Sequence, residues 1–485
     1  MYIGIDLGTS SAKLLLMDKN GLVVNTVSKN YPLSFIKETW IEQEPEEWFN
    51  SIYNGLKEII KGYENCISAI SFSGQMHGLV ILNSEDKVIR PAILWCDQRT
   101  EKECSYLNEE IGVSKLLENT GNIALTGFTL PKILWIKENE PKNFSEISKV
   151  MLPKDYIVYK LSGVFATDFS DASGMLLLDV KNRKWSREMI EISGLKEENF
   201  PQIYESYEEI GCIKKEFAEE LKLNRNIKII IGGADQAIGA VGVGAVNSDY
   251  ISVALGTSGV VLANNSEYIY DKKGRLHSFC HANGKYYQMG VILSAASSLK
   301  WWVEEINKTS DYEMLMKEAE ESKAKDLYFL PYLVGERTPH NDINVRGAFI
   351  GFNINHQRGD MTKAVLEGVA FALRDSYEIL KEMNIKSKII RLSGGGARNV
   401  IWREIICNVF NLETEIVNSL EGPAFGAAIV ASVGDGAYRN INEACTVIIK
   451  PLQKIQPNNE LVKNYNEKYD KFKKLYPRLK EFYNV

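Results

Sequence analysis

A short turn pattern occurs twice in this chain, roughly half its length apart, and it restricts the fold more than any other feature. Residues 3–10 read IGIDLGTS, and residues 253–259 read VALGTSG. In each copy a β-branched, apolar run stops at Leu-Gly-Thr-Ser. A second apolar run follows, Ala12 to Met17 in one copy and Val260 to Ala263 in the other. The pattern predicts strand, tight turn, strand. Gly8 and Gly256 would give the turn a backbone geometry that a Cβ forbids. The hydroxyls of Thr9, Ser10, Thr257 and Ser258, with the turn N–H groups, can line a concavity for phosphate oxygens. One glycine-threonine turn is usually only a turn. Two in matching contexts predict duplicated halves that grip one nucleotide between them.

A chain of 485 residues exceeds what one core normally holds, so two domains are expected. They are expected at 1–246 and 247–485, with no low-complexity linker at the junction. Strand-like runs followed by helical ones recur throughout, which predicts an α/β architecture. Asn20-Gly21 between two apolar runs predicts a two-residue type I′ hairpin. Helices are expected over Glu44 to Lys61 and over Asp360 to Asn384, and a strand over Ile67 to Ser73. Tyr465, Tyr469, Phe472 and Tyr476 predict a closing amphipathic helix that snorkels its lysines.

The net charge of −6 argues against nucleic acid or an anionic membrane as main partner. No apolar run approaches the roughly 20 residues that span a bilayer. The seven cysteines are scattered and form no CxxC, so neither a disulfide scaffold nor a zinc site is expected. With no signal-like segment ahead of Tyr2, the expected location is a reducing cytoplasm.

Several residues have the chemistry of a phosphoryl-transfer site. Asp6 ends the first strand just before the phosphate turn, where a carboxylate would repel phosphates unless a cation intervened. That points to Mg²⁺, held partly through water. Asp235, in GGADQAIGAVGVGAV, opens a helix of small residues that a neighbouring backbone or a ligand can approach closely. A general base is favoured there over a simple helix cap. Residues 71–79, SFSGQMHGL, bracket Gln75, Met76 and His77 with glycines, which suits contact with a small polar ligand. LWCDQRT, residues 94–100, offers either hydrogen bonds to hydroxyls or a salt bridge. LSGGGARN (392–399) and EGPAFGAAIVA (421–431) are glycine-rich entries to helices that could cradle phosphate or a base. Neither has the Walker or the dinucleotide-binding spacing.

Taken in order, IGIDLGTS, SGQMHG, RPAILWCDQRT, LPKDY, ATDFSDASG, GGADQAIGAVGVGAV, LGTSG, LSGGGARN and EGPAFGAAIVA resemble the FGGY carbohydrate kinase family. The resemblance covers nearly the whole chain. It implies two ribonuclease-H-like domains of the actin/hexokinase/Hsp70 type around a cleft, the first mainly holding sugar and the second mainly ATP. By position, Asp235 is implied as the catalytic base and Asp6 as the acidic residue near magnesium. Met76, His77, Asp235 and Gln236 are implied as sugar contacts, and Gln75 is expected beside them from the loop pattern. Gly256 and Thr257 are implied as the γ-phosphate turn and Gly394, Gly395 and Asn399 as adenosine-side contacts, while Thr9 and Ser10 are expected as ATP contacts from the turn pattern. Lys300 falls near a nucleotide-contacting region of the family.

The implied reaction is transfer of the γ-phosphoryl group of MgATP to the terminal hydroxyl of a ketose, with D-xylulose expected first. Gluconate, ribulose and glycerol are the alternative acceptors. An actin- or Hsp70-like ATPase would not need the SGQMHG and WCDQRT segments, and a repressor would need an added DNA-binding domain. ATP and a small sugar are the expected partners, and a homodimer is allowed for.

Overall fold

The structure, a computed structural model, describes residues 1–418 and 421–483. Its first sheet has six strands: β1 (Tyr2–Leu7), β2 (Ser11–Met17), β3 (Val23–Asn30), β4 (Ala69–Gly74), β5 (Glu209–Cys212) and β6 (Lys228–Ala234). Their spatial order is β5-β6-β4-β1-β2-β3. The second has seven: β7 (Tyr250–Leu255), β8 (Gly259–Asn265), β9 (His277–Cys280), β10 (Tyr286–Ile292), β11 (Ile389–Ser393), β12 (Glu413–Val417) and β13 (Pro451–Ile455). Their order is β9-β10-β8-β7-β11-β12-β13.

The two sheets repeat one topology. The opening strand lies inside the sheet, with an antiparallel hairpin partner on one side (β1–β2, β7–β8). On its other side stand parallel strands, β4 then β6 in the first sheet and β11 then β12 in the second. The duplicated LGTS turn joins the hairpin in both. This is the two-domain α/β architecture that the sequence and the resemblance led us to expect.

Helices α1 (Pro45–Ile59), α2 (Asp235–Gly242), α3 (Arg358–Glu382), α4 (Val400–Phe410), α5 (Pro423–Gly434), α6 (Asn459–Phe472) and α7 (Leu475–Tyr483) cover the sheets. α1 buries Trp48, Ile52, Leu56 and Ile59, the stripe its sequence spacing predicts. α5 is late in the chain yet packs on the first sheet and on α2. A Cβ on Gly4 of β1 would sit 2.0 Å from the Ala424 carbonyl oxygen. One on Gly426 would sit 1.9 Å from that of Ile238. The small residues of α2 therefore admit a neighbouring backbone, and that neighbour is α5.

Three local expectations change. The β2–β3 hairpin closes through a three-residue loop, with Asp18 N–H donating to the Leu22 carbonyl at 2.9 Å. The Asp18 carboxylate captures the N–H groups of Asn20 and Leu22, both at 2.8 Å, and only Gly21 takes a positive φ. An Asx-type turn thus replaces the type I′ turn. Neither Gly8 nor Gly256 lies in the left-handed region. At Gly256 a Cβ would meet nothing nearer than 3.4 Å, so the LGTS turns do not depend on unusual φ. The closing helix is two helices, broken after Phe472, which lets Tyr476 bond Asp342 at 2.8 Å and stack on His340.

Candidate active site

The parallel register of the first sheet sets Asp6, Ser73 and Gly233 in one row across β1, β4 and β6. Thr9, Gln75 and Asp235 follow directly where these strands end. Open α/β sheets bind ligands at this carboxyl edge. Asp235 is the first residue of α2, and its side chain does not cap the helix. Burial pushes its carboxyl up to about 7, and the negative charge of Asp6 adds to the rise, while Gln236 pulls against it. Burial likewise pushes Asp6 up to about 6, against the neighbouring Ser73 hydroxyl and the Lys13 ammonium.

One Asp6 oxygen, Oδ1, is buried without a hydrogen-bond partner. Among the described residues no cluster of three or more His, Cys, Asp or Glu could cage a metal. A single orphaned carboxylate oxygen suits Mg²⁺, which keeps much of its water and takes its other ligands from phosphate.

The loop after β4 carries the expected sugar contacts. Gln75 N–H donates to the Leu7 carbonyl at 2.8 Å, and its side-chain Nε2 donates to Gln43 Oε1 at 3.4 Å. Gln75 Oε1 is buried without a partner. His77 has φ +67°, an uncommon conformation for a residue with a side chain. Backbone strain of this kind clusters at functional sites. Its Nδ1 lies 2.6 Å from the Gly174 carbonyl oxygen. A carbonyl only accepts, so Nδ1 carries the proton and Nε2 is left as an acceptor. Burial lowers the ring's pKa to about 3, which keeps it neutral. Phe128 packs 4.6 Å from it, centroid to centroid. Met76 is buried beside it, its Cε 3.0 Å from where a Cβ on Gly174 would stand, so it contributes an apolar wall.

Two features behind this loop were not legible in sequence. Lys132, fully buried, donates to the carbonyls of His77 (2.9 Å) and Gly127 (2.7 Å), and burial pushes its pKa down to about 7. Trp95 Nε1 donates to Thr9 Oγ1 at 3.0 Å, which links the LWCDQRT segment to the first phosphate turn. For Asp97 and Arg99 the salt-bridge alternative holds, at 2.7 Å, with Arg99 also 2.7 Å from Glu42.

On the second sheet, the Gly256 carbonyl accepts from Ala296 N–H at 2.8 Å. The Thr257 carbonyl accepts from Ala295 N–H (2.9 Å) and Ser297 Oγ (2.8 Å). The turn is thereby tied to the start of the helix Ala296–Lys300 and leaves the Thr257 side chain exposed. Gly394 has φ +83°, and a Cβ there would strike the Leu255 carbonyl at 2.6 Å, so glycine is required. Beside it opens a cleft of about 930 Å³, lined by Thr257, Lys300, Tyr312, Met316, Gly395 and Asn399 among others. Asn399 also caps α4, its Oδ1 accepting from Trp402 N–H at 2.9 Å.

The structure thus brings Asp6, Asp235, Gln236, Gln75 and Thr9 to one sheet edge, with Met76 and His77 in the adjoining loop. It gathers Thr257, Gly395, Asn399 and Lys300 in a cleft that Thr9 and Ser10 do not line. Tyr312 and Met316 were missed, although their spacing of four on one helix face is a usable signal.

Residues 1–242 match the model of the FGGY family of carbohydrate kinases, N-terminal domain, and residues 251–434 that of its C-terminal domain. The chain is 41% identical over 488 residues to the xylulose kinase of Lactococcus lactis subsp. lactis (strain IL1403), covering 99% of this chain and 97% of that one. It is similar to the crystal structure of a xyloylose kinase from Brucella ovis, with a TM-score of 0.93, 36% identity and 99% of each chain covered. The gluconate kinase structure from Lactobacillus acidophilus gives a TM-score of 0.94 at 27% identity, covering 100% of this chain and 99% of that one. The duplicated topology, the ordered motifs and both domain matches agree: the chain belongs to the FGGY family of carbohydrate kinases.

Proposed function

We propose that this carbohydrate kinase transfers the γ-phosphoryl group of ATP to the 5-hydroxyl of D-xylulose, giving D-xylulose 5-phosphate and ADP. The observation that carries the reading is Asp235. Its carboxyl has a pKa of about 7, stands at the ligand-binding edge of the sheet and adjoins a neutral histidine loop. The relatives named xylulose kinase support the choice of acceptor. The fold is shared with a gluconate kinase and does not distinguish the two, so D-gluconate belongs in the test.

In this reading Asp235 takes the proton of the 5-hydroxyl as its oxygen attacks the γ-phosphorus. A base with a pKa near the working pH is best matched to that task and contributes about 10²–10⁴-fold. His77 Nε2 and Gln75 Oε1 accept hydrogen bonds from sugar hydroxyls, and Gln236 flanks the base. The turn N–H groups and the Thr9, Ser10 and Thr257 hydroxyls hold phosphate oxygens beside Gly256. Gly394, Gly395 and Asn399 border the adenosine.

Asp6 would hold Mg²⁺ through its orphaned oxygen, and the ion would supply neutralisation of phosphate charge. In-line positioning is worth roughly 7–11 kcal/mol, more than the base supplies. Residues 1–246 then carry the sugar pocket and base, and residues 247–485 the nucleotide cleft. Among the described residues no helix is long and apolar enough to cross a membrane. A cytoplasmic location, where ATP is available, fits the reaction.

The test is acceptor-dependent ADP release with D-xylulose, ribulose, D-gluconate and glycerol. The highest kcat/KM is expected for D-xylulose; a higher value for another acceptor would reassign the substrate.

A further inference from the structure

Arg337 lies between two residues pinned to the end of β10 and the residue that follows it. The Glu336 carboxylate accepts from the N–H groups of Leu293 (2.9 Å) and Arg337 (2.8 Å). Thr338 N–H donates to the Val291 carbonyl at 2.9 Å, and Thr338 Oγ1 accepts from Val291 N–H at 3.1 Å. The backbone is held, yet among the described residues the guanidinium has no hydrogen-bond or ion-pair partner. Arg337 is only half-buried, so a ligand can reach it. Other deep arginines of the chain are paired: Arg99 with Asp97 and Glu42, and Arg391 with Glu415. A donor-only group left without a protein partner on a firmly held backbone calls for an explanation. Glu336 does not supply it: its Oε1 accepts from two backbone N–H groups, and among the described residues no ion pair joins its carboxyl to the guanidinium.

The place of this side chain gives the explanation. A Cβ on Gly127 would lie 3.8 Å from Arg337 Nη2, and the Gly127 carbonyl accepts from Lys132 beside His77. The positive charge of Arg337 is felt by both His77 and His277. Phe128 packs 4.6 Å from His77 and 5.6 Å from His277. The ring series continues from His277 to Phe279 and Tyr287, and Tyr287 feels the charge of Asp235. A continuous series of buried rings thus links the surroundings of Arg337 and His77 to those of Asp235.

We propose that Arg337 binds the carbonyl end of the acceptor, remote from the hydroxyl that is phosphorylated. This rests on the reading of the protein as a ketose kinase. A guanidinium is donor only, and the carbonyl is the one acceptor-only oxygen of an open-chain ketose. Hydroxyls suit the loop of His77 and Gln75, which offers acceptors. The planar fork also matches the in-plane lone pairs of an sp² oxygen, whether ketone or carboxylate.

The experiment compares wild type with Arg337→Met and Arg337→Lys, using D-xylulose, D-gluconate and xylitol, which has no sp² oxygen. Xylitol is read as acceptor or as competitive inhibitor. The Met variant should raise KM for D-xylulose about 10- to 100-fold, the worth of a hydrogen bond to a charged group. It should leave KM for ATP and the xylitol constant within about threefold. The Lys variant should fall between, and unliganded Tm should not change. A larger loss for D-gluconate than for D-xylulose also supports the proposal, with a carboxylate as the sp² oxygen. Equal losses for D-xylulose and xylitol, or an unchanged KM, would overturn it while leaving the kinase reading intact. Wild type without acceptor-dependent turnover would overturn both.

Discussion

Asp6 and Asp235 stand at the ends of parallel strands separated only by β4, and the charge of one helps keep the other protonated up to about pH 7. A base must be deprotonated to work, so this sets a pH dependence. At saturating MgATP, kcat/KM for the sugar should fall about tenfold per unit below pH 7 and level off above it. A flat profile from pH 6 to 8 would remove Asp235 as the base.

Asp235→Asn should lower kcat by about 10²–10⁴-fold and leave ATP affinity within a few-fold, since the loss is confined to proton transfer. The same variant should gain stability at high pH. The folded pKa of Asp235 is raised, so its ionisation becomes a growing penalty as pH rises from the usual carboxylate range through about 7. Above pH 7 the Asn variant should therefore melt higher than wild type, and at pH 4 the difference should vanish. An Asn variant that turns over at the wild-type rate would contradict the assignment.

His77→Ala removes a neutral acceptor. It should cut kcat/KM for the sugar about 3- to 10-fold, the range of a neutral hydrogen bond. The strained backbone at this residue is tested by His77→Gly, which should keep the fold but not the sugar affinity. An unchanged specificity constant in both would make His77 structural.

Gly426→Ala would drive a Cβ into the Ile238 carbonyl at 1.9 Å, backbone against backbone. It should cost about 1–3 kcal/mol or more, read as a drop in Tm. Gly395→Ala meets nothing within 4 Å and has an ordinary φ, so it should leave Tm unchanged. Equal effects from the two would show that α5 does not depend on close packing against α2.

The candidate site was legible where neighbouring residues build it. The LGTS turns follow strands whose β-branched runs are plain, and Gln75 to His77 follow β4 directly, so strand ends could be read as site positions. What could not be read depends on residues far apart in the chain. Arg337 comes close to Gly127, more than 200 positions earlier in the chain. Lys132 looks like an ordinary helix residue until its ammonium is seen under the His77 carbonyl. The small residues of α2 were compatible with a ligand or a backbone, and only the return of α5 to the first sheet decides between them. The type I′ reading of Asn20-Gly21 failed because Asp18 competes for the loop amides, a side-chain effect the dipeptide does not carry.

The most direct measurement is phosphorus NMR of a mixture of enzyme, MgATP and D-xylulose, with Asp235→Asn alongside. The account predicts ADP and D-xylulose 5-phosphate in equal amounts from the wild type, and neither from the variant on the same time scale. Equal ADP release with and without sugar, or phosphorylation that survives in the variant, would contradict it.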